Sequence, residues 1–243
     1  MMSHPTSRGG QALAWSAHLF TASGAVAGFV SLLAIEERNW RAALIWMAVA
    51  YLIDTLDGTY SRWVRVREVL PRFDGLAVDS IVDYFTHCIL PALFLYRTGL
   101  VPPSVAFLTA ALVLALTPYH FGNLDVKTDD YFFQGFPGWW NLLVFYLYLF
   151  ALPPWVNFVI VIVFCVLLFV PVKYVYPSRA VRLRVPMQAA IVIWLVTNAV
   201  ILVQLPTPSR ALVWLSLLCV VFLGGIGLAR TFRPPALPKE TAA

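Results

Sequence analysis

The chain has 243 residues, 60% of them hydrophobic and 12% charged, with a formal net charge of +5. Soluble domains run at roughly 45–50% apolar and about 25% charged residues, so this composition excludes an ordinary globular domain and indicates an integral membrane protein. In that setting the surplus of Lys and Arg reads as the cytoplasmic flanks of membrane helices, and no nucleic-acid partner is expected.

A helix needs about 20 apolar residues to cross a bilayer. Segments of that size fall near 13–35, 41–61, 76–97, 103–121, 155–174, 187–204 and 210–229. The first is long and has no clear small-residue cleavage site, so it reads as a span rather than a signal peptide. Between the fourth and fifth lies "WWNLLVFYLYLFALPPW", 139–155, a short apolar run closed by Pro153 and Pro154. Counted as a crossing, it puts 13 of the 17 Lys and Arg on one face and leaves Arg38, Arg41, Arg97 and Arg210 on the other. Without it, Lys173, Arg179, Arg182 and Arg184 would lie opposite the basic cluster of 62–74. The positive-inside rule therefore predicts an all-α polytopic bundle of about eight transmembrane helices with both termini cytoplasmic. The reading is a single membrane domain over 1–243, with short polar tails at 1–10 and 231–243. Cys88, Cys165 and Cys219 sit in apolar runs at unrelated spacings, which suits core residues rather than disulfides or metal ligands.

Chemistry concentrates between residues 54 and 83. Asp54 and Asp57 end the second span; Asp79 and Asp83 begin the third, at a similar depth on the cytoplasmic side. Spacings of three and four place each pair on one helix face. Gly58 and Gly75 are in phase with the pairs and allow close approach of a ligand or backbone. Four carboxylates in one patch repel each other unless cations neutralise them, and two divalent ions with oxygen ligands suit four aspartates. Arg62, Arg65, Arg67 and Arg72 add positive charge at the same face, and ions with arginines suit a phosphate-bearing ligand. A cation transporter is the rival reading. Transporter carboxylates usually lie at the midplane of two related halves, however, and nothing comparable to this cluster recurs in the second half.

At these residues the sequence resembles the CDP-alcohol phosphotransferase family, whose pattern is Asp-x2-Asp-Gly-x2-Ala-Arg, a spacer, then Gly-x3-Asp-x3-Asp. Here it reads Asp54, Asp57, Gly58, Ser61, Arg62, Gly75, Asp79 and Asp83. Ser61 replaces the usual Ala, and the spacer 63–74 has 12 residues instead of about eight. The long spacer and "TDDYFFQGFPGWWN" look like the phosphatidylcholine synthase branch found in bacteria. The resemblance implies transfer of the phosphatidyl group of CDP-diacylglycerol to choline with release of CMP. Serine or inositol as acceptor is the alternative within the family. It also implies Asp54, Asp57, Asp79 and Asp83 as ligands of Mn2+ or Mg2+, two ions in all, with Asp83 the catalytic general base. Gly58, Ser61, Arg62 and Gly75 would lie along the cytidine and pyrophosphate. The implied setting is a bacterial inner membrane with the active site facing the cytoplasm, membrane phospholipid around it, and room for a homodimer.

Choline cannot donate a hydrogen bond through its quaternary ammonium and is recognised by aromatic faces beside carboxylates. Segment 119–140 supplies Tyr119, Tyr131, Phe133, Trp139 and Trp140 with Asp129 and Asp130 among them, and Tyr84, Phe85 and His87 follow Asp83 as another wall. An interfacial aromatic belt is the alternative for these rings. In the basic segment 173–184, Arg179 and Arg182 are candidates for lipid phosphate, or for a loop that holds anionic lipid. His18, His87 and His120 show no metal-ligand spacing and read as hydrogen-bonded within helices.

Overall fold

The computed structural model describes residues 8–123, 132–175 and 184–232. In chain order the elements are α1 (Arg8–Glu36), α2 (Trp40–Trp63), α3 (Val66–Val69), α4 (Gly75–Asp83), a π-helical turn (Tyr84–Ile89), α5 (Leu90–Thr98), α6 (Pro103–Gly122), β1 (Phe132–Gln134), α7 (Trp140–Phe150), α8 (Pro154–Leu167), β2 (Lys173–Val175), α9 (Arg184–Gln204) and α10 (Arg210–Phe232). They fall into two compact units, Met1–Ala115 with Trp139–Phe158, and Leu116–Gly138 with Val159–Ala243.

Six helices among the described residues are long and apolar enough to cross a membrane: α1, α2, the run Gly75–Thr98, α6, Val185–Gln204 and α10. The protein is thus an all-α polytopic membrane protein apart from one small ribbon. Helices α7 and α8 have 11 and 14 residues. At 1.5 Å per residue they reach about 16 and 21 Å, short of a hydrocarbon core of about 30 Å.

In the first unit, α1 presents a stripe of small residues at helical spacing: Ala14, Ala17, Thr21, Gly24, Gly28 and Ser31 are buried or partly buried along it. Lipid supplies no hydrophobic drive between helices, so close backbone approach through small residues is what holds such a pair together. A Cβ on Gly24 would meet Val82 Cγ1 at 3.2 Å and Ile53 Cγ2 at 3.5 Å, and one on Gly28 would stand 2.7 Å from Phe85 Cε1. Helix α1 therefore seats α2 and the α4–π segment side by side. Asn39 caps α2, accepting from the Ala42 N–H at 3.1 Å, and Asp74 caps α4, accepting from the Ala77 N–H at 3.0 Å.

The 12-residue spacer folds too. Its Val66, on the single turn α3, buries against Ala14 and Ala17 with Tyr60, Val64, Val69 and Leu70 around them. Nearby, the Ser16 and Tyr60 hydroxyls hydrogen-bond at 2.7 Å. The extra length is thus a clasp between α1 and the α2–α4 connection.

Two features depart from the sequence reading. The third span is not uniformly α-helical, because residues 84–89 form a π turn in which the Leu90 N–H reaches back to the Phe85 carbonyl. Pro91 follows, and a proline has no N–H to donate to the carbonyl four residues earlier, that of His87. The expected span 155–174 is helical only to Leu167. Beyond it the Gly135 N–H donates to the Val172 carbonyl and the Phe136 N–H to the Leu167 carbonyl, both at 2.9 Å. Strand β2 then pairs antiparallel with β1, Phe133 opposite Tyr174. Gly135, at φ +82°, leaves no room for a Cβ, which would lie 2.5 Å from the Leu168 carbonyl oxygen.

Gly28→Val should lower the thermal midpoint in detergent by overpacking against Phe85, at a cost of about 1–3 kcal/mol. Gly224→Ala, where a Cβ meets nothing within 4 Å, should leave the midpoint unchanged or raise it. Equal shifts in the two variants would refute the close approach of α1 and the π turn.

Candidate metal and phosphate site

The seating of α2 against α4 decides where the four aspartates meet. One carboxylate oxygen each from Asp54, Asp57 and Asp79 lie within 4.8 Å of one another. A carboxylate oxygen each from Asp54 and Asp83 and a ring nitrogen of His87 form a second group, also within 4.8 Å of one another. Asp54 belongs to both. Asp57 is only 5% exposed, and its neighbour on α1 is Thr21, a hydrogen-bond partner of its carboxylate. Asp54, Asp79 and Asp83 are half-buried.

Two carboxylate charges about 5 Å apart repel by on the order of 3 kcal/mol at an effective dielectric of about 20. Several such pairs share this site, so the arrangement needs compensating positive charge. The donor set fits a divalent cation: hard oxygens from several side chains, close enough together to bind one ion, converge from two helices. Asp54, Asp57 and Asp79 would hold such an ion, and Asp54 with Asp83 would form the adjoining corner.

The remaining motif residues line up beside this cluster. Gly58, Ser61 and Arg62 occupy the last turns of α2, and Gly75 opens α4. Arg62 is exposed and donates from Nη2 to Thr59 Oγ1 at 3.0 Å; a Cβ on Gly58 would stand 3.3 Å from its Nη1. Gly75 has a use the sequence reading did not foresee. A Cβ there would fall 2.6 Å from Cε1 of His18, a buried side chain of α1 whose ring also packs on Phe73 at 4.3 Å between centroids. The missing side chain admits the imidazole.

The expected choline residues are distributed as follows. Tyr84 donates its hydroxyl to the Leu114 carbonyl at 2.7 Å, within the unit that holds the aspartates. Trp139 and Trp140 belong to that unit as well, Trp140 fully buried at the start of α7. Tyr119, exposed at the end of α6, and Phe133 on β1 belong to the other unit. Asp129, Asp130, Tyr131, Arg179 and Arg182 lie outside the described residues.

His87 is the site residue that the spacing argument missed. Its ring is buried, with Nε2 at 3.6 Å from Asp54 Oδ2 and Nδ1 at 3.8 Å from Asp83 Oδ1. The i+4 relation to Asp83 and the downstream Pro91 were the available signals. Neither reveals that the ring turns toward α2.

Fold and site together define a polytopic helical membrane protein with a four-aspartate centre, suited to divalent ions, where two of its helices meet. No protein-family model matches the chain. Curated relatives do. It is 39% identical over 236 residues to a phosphatidylcholine synthase of Legionella pneumophila, covering 94% of this chain and 92% of that one. It is 36% identical over 224 residues to the phosphatidylcholine synthase of Pseudomonas aeruginosa (92% and 94%), and 35% identical over 229 residues to that of Rhizobium johnstonii (94% of each). The chain belongs to the phosphatidylcholine synthase family.

Gly75→Ala should lower thermal stability, and His18→Ala in the same chain should restore part of the loss. A double-mutant cycle on melting temperatures would read a coupling of about 0.5–3 kcal/mol. Strict additivity would contradict the contact between Gly75 and His18.

Proposed function

We propose that this chain synthesises phosphatidylcholine, transferring the phosphatidyl group of CDP-diacylglycerol to choline and releasing CMP. The observation that carries the reading is the convergence of Asp54, Asp57, Asp79 and Asp83 in two adjoining groups beside Gly58, Arg62 and Gly75. The names of the relatives supply the substrates. On this reading the aspartates hold Mn2+ or Mg2+, two ions in all, which when bound neutralise the pyrophosphate and make its lipid-side phosphorus open to attack.

The chain's own groups do the rest. Arg62 supplies a planar donor fork for a phosphate oxygen, and Gly58 leaves backbone open for the nucleotide, whereas at Gly75 that space is taken by the His18 ring. The Asp83 carboxylate takes the proton of the choline hydroxyl as its oxygen forms the new bond to phosphorus. The bond between that phosphorus and the bridging oxygen breaks, and its electron pair leaves with CMP. Because the hydroxyl comes from the water side and the diacylglycerol from the bilayer, a site at the ends of α2 and α4 meets both.

The eight-span topology, with termini and site at the cytoplasmic face of a bacterial inner membrane, belongs to the same proposal. It takes α7 and α8 as short crossings with the bilayer thinned around them and rests on the Lys and Arg distribution. Tyr84, Tyr119, Tyr131, Phe133, Trp139 and Trp140 with Asp129 and Asp130 are proposed for choline, and Arg179 and Arg182 for lipid phosphate. The chain is proposed to work as a single membrane domain, with a homodimer as its assembly.

Purified protein given CDP-diacylglycerol, choline and Mn2+ should release CMP and phosphatidylcholine in equal amounts, and EDTA should stop both. Asp83→Asn should slow turnover by about 10²–10⁴-fold, the range of general-base catalysis, while leaving the protein folded. Product from serine or inositol in place of choline would keep the aspartate roles and overturn the acceptor. No CMP with any alcohol would overturn the transferase reading.

A further inference from the structure

His87 lies four residues after Asp83, yet nothing in the aspartate motif calls for it. Its side chain is 4% exposed. The π turn and Pro91 set the backbone from which it projects toward α2. Its hydrogen bonds define its chemical state. Thr86 Oγ1 donates its single proton to the Val82 carbonyl at 3.0 Å, and the same oxygen lies 3.0 Å from His87 Nδ1. With the hydroxyl proton committed, the Thr86 oxygen accepts, and Nδ1 carries the hydrogen. Nε2 then presents a lone pair.

That lone pair faces an anion. Asp54 Oδ2 lies 3.6 Å from Nε2 and Asp83 Oδ1 lies 3.8 Å from Nδ1, and ligand atoms of all three residues fall within 4.8 Å of one another. A buried nitrogen lone pair beside a carboxylate oxygen is repulsive until a proton or a metal ion lies between them. With metal–ligand bonds of about 2.0–2.3 Å, two donors on one ion stand roughly 3–4 Å apart, which matches the Nε2–Oδ2 separation. The Nδ1–H held by a hydroxyl, itself anchored to a backbone carbonyl, is the outer-shell support that ligating histidines usually have.

We infer that His87 is a protein ligand, through Nε2, to a divalent ion shared with Asp54 and Asp83. The inference rests on the metal-dependent reading above and extends it. The centre then has two unlike corners: oxygen donors alone from Asp54, Asp57 and Asp79, and a mixed nitrogen and oxygen set from Asp54, Asp83 and His87. Carboxylate-only sites accept Mg2+ and Mn2+ readily, whereas an imidazole donor disfavours Mg2+ relative to a transition ion. The mixed corner is the one that touches Asp83, so the choice of ion is made next to the proposed base.

The test is pulsed electron paramagnetic resonance on the full chain in detergent with Mn2+ alone as the probe. The wild-type protein should show nitrogen coupling to Mn2+, and labelling its histidines with 15N should change that coupling to the 15N pattern. His87→Gln should abolish it and weaken binding of one Mn2+ at least tenfold in a titration, while His120→Gln keeps it. The labelled wild-type chain makes the test independent of whether any variant folds. Bound Mn2+ without histidine coupling, or coupling that survives in His87→Gln, overturns the inference and leaves the transferase proposal standing. A chain that binds no Mn2+ overturns the inference, and CMP release from CDP-diacylglycerol and choline with Mg2+ then decides separately whether the transferase reading stands.

Discussion

Mutual repulsion among four aspartates is the constraint on which the rest of this structure depends. Asp54, Asp57, Asp79 and Asp83 stand on helices of a membrane protein, in two groups whose oxygens approach within 4.8 Å. Intramembrane carboxylates are costly, and packing them together raises the cost. A fold that nevertheless brings them together does so through contacts elsewhere that are indifferent to charge. Those contacts are mostly the absence of side chains: Gly24 and Gly28 on α1 admit Val82, Ile53 and Phe85, and Gly75 admits His18.

Between Arg8 and Glu36 helix α1 carries no Asp, Glu, Lys or Arg, yet it positions the centre. It receives α2 and the α4–π segment on its small-residue face, places Thr21 against Asp57, and is clasped by Val66 from the spacer. The spacer length therefore has a mechanical sense. A shorter connection could join α2 to α4, but it would lack the turn that buries Val66 against Ala14 and Ala17. The second unit is organised by different means, with α9 and α10 joined through the Ser216–Asn198 hydrogen bond at 2.8 Å and β2 tied to α10 by the Lys173 N–H donating to Thr231 Oγ1.

Much of this was legible in the chain. Asp54, Asp57, Asp79 and Asp83 could be placed at one depth because helical spacing and the polarity of the connection leave little freedom. The long apolar helices followed from composition and run length. What stayed hidden depends on interactions between distant residues. The end of α8 at Leu167 is imposed by hydrogen bonds from Gly135 and Phe136, some 30 residues earlier, and no local propensity announces them. Gly75 reads in sequence as room for a ligand, and only the packed structure shows the His18 ring beside it. His87 was hidden in the same way, because its spacing to Asp83 suits an ordinary helix face while its partner Asp54 lies 33 residues back, on α2.

On the proposed function, these carboxylates hold ions on which a CDP-linked lipid rests. The most direct measurement is anomalous scattering at the manganese edge from the protein with Mn2+ and CDP-diacylglycerol. Two peaks that share Asp54 are expected, one beside Asp57 and Asp79 and the other beside Asp83, with the pyrophosphate reaching toward Arg62. A lipid bound with its pyrophosphate elsewhere and no manganese at the aspartates would contradict that function.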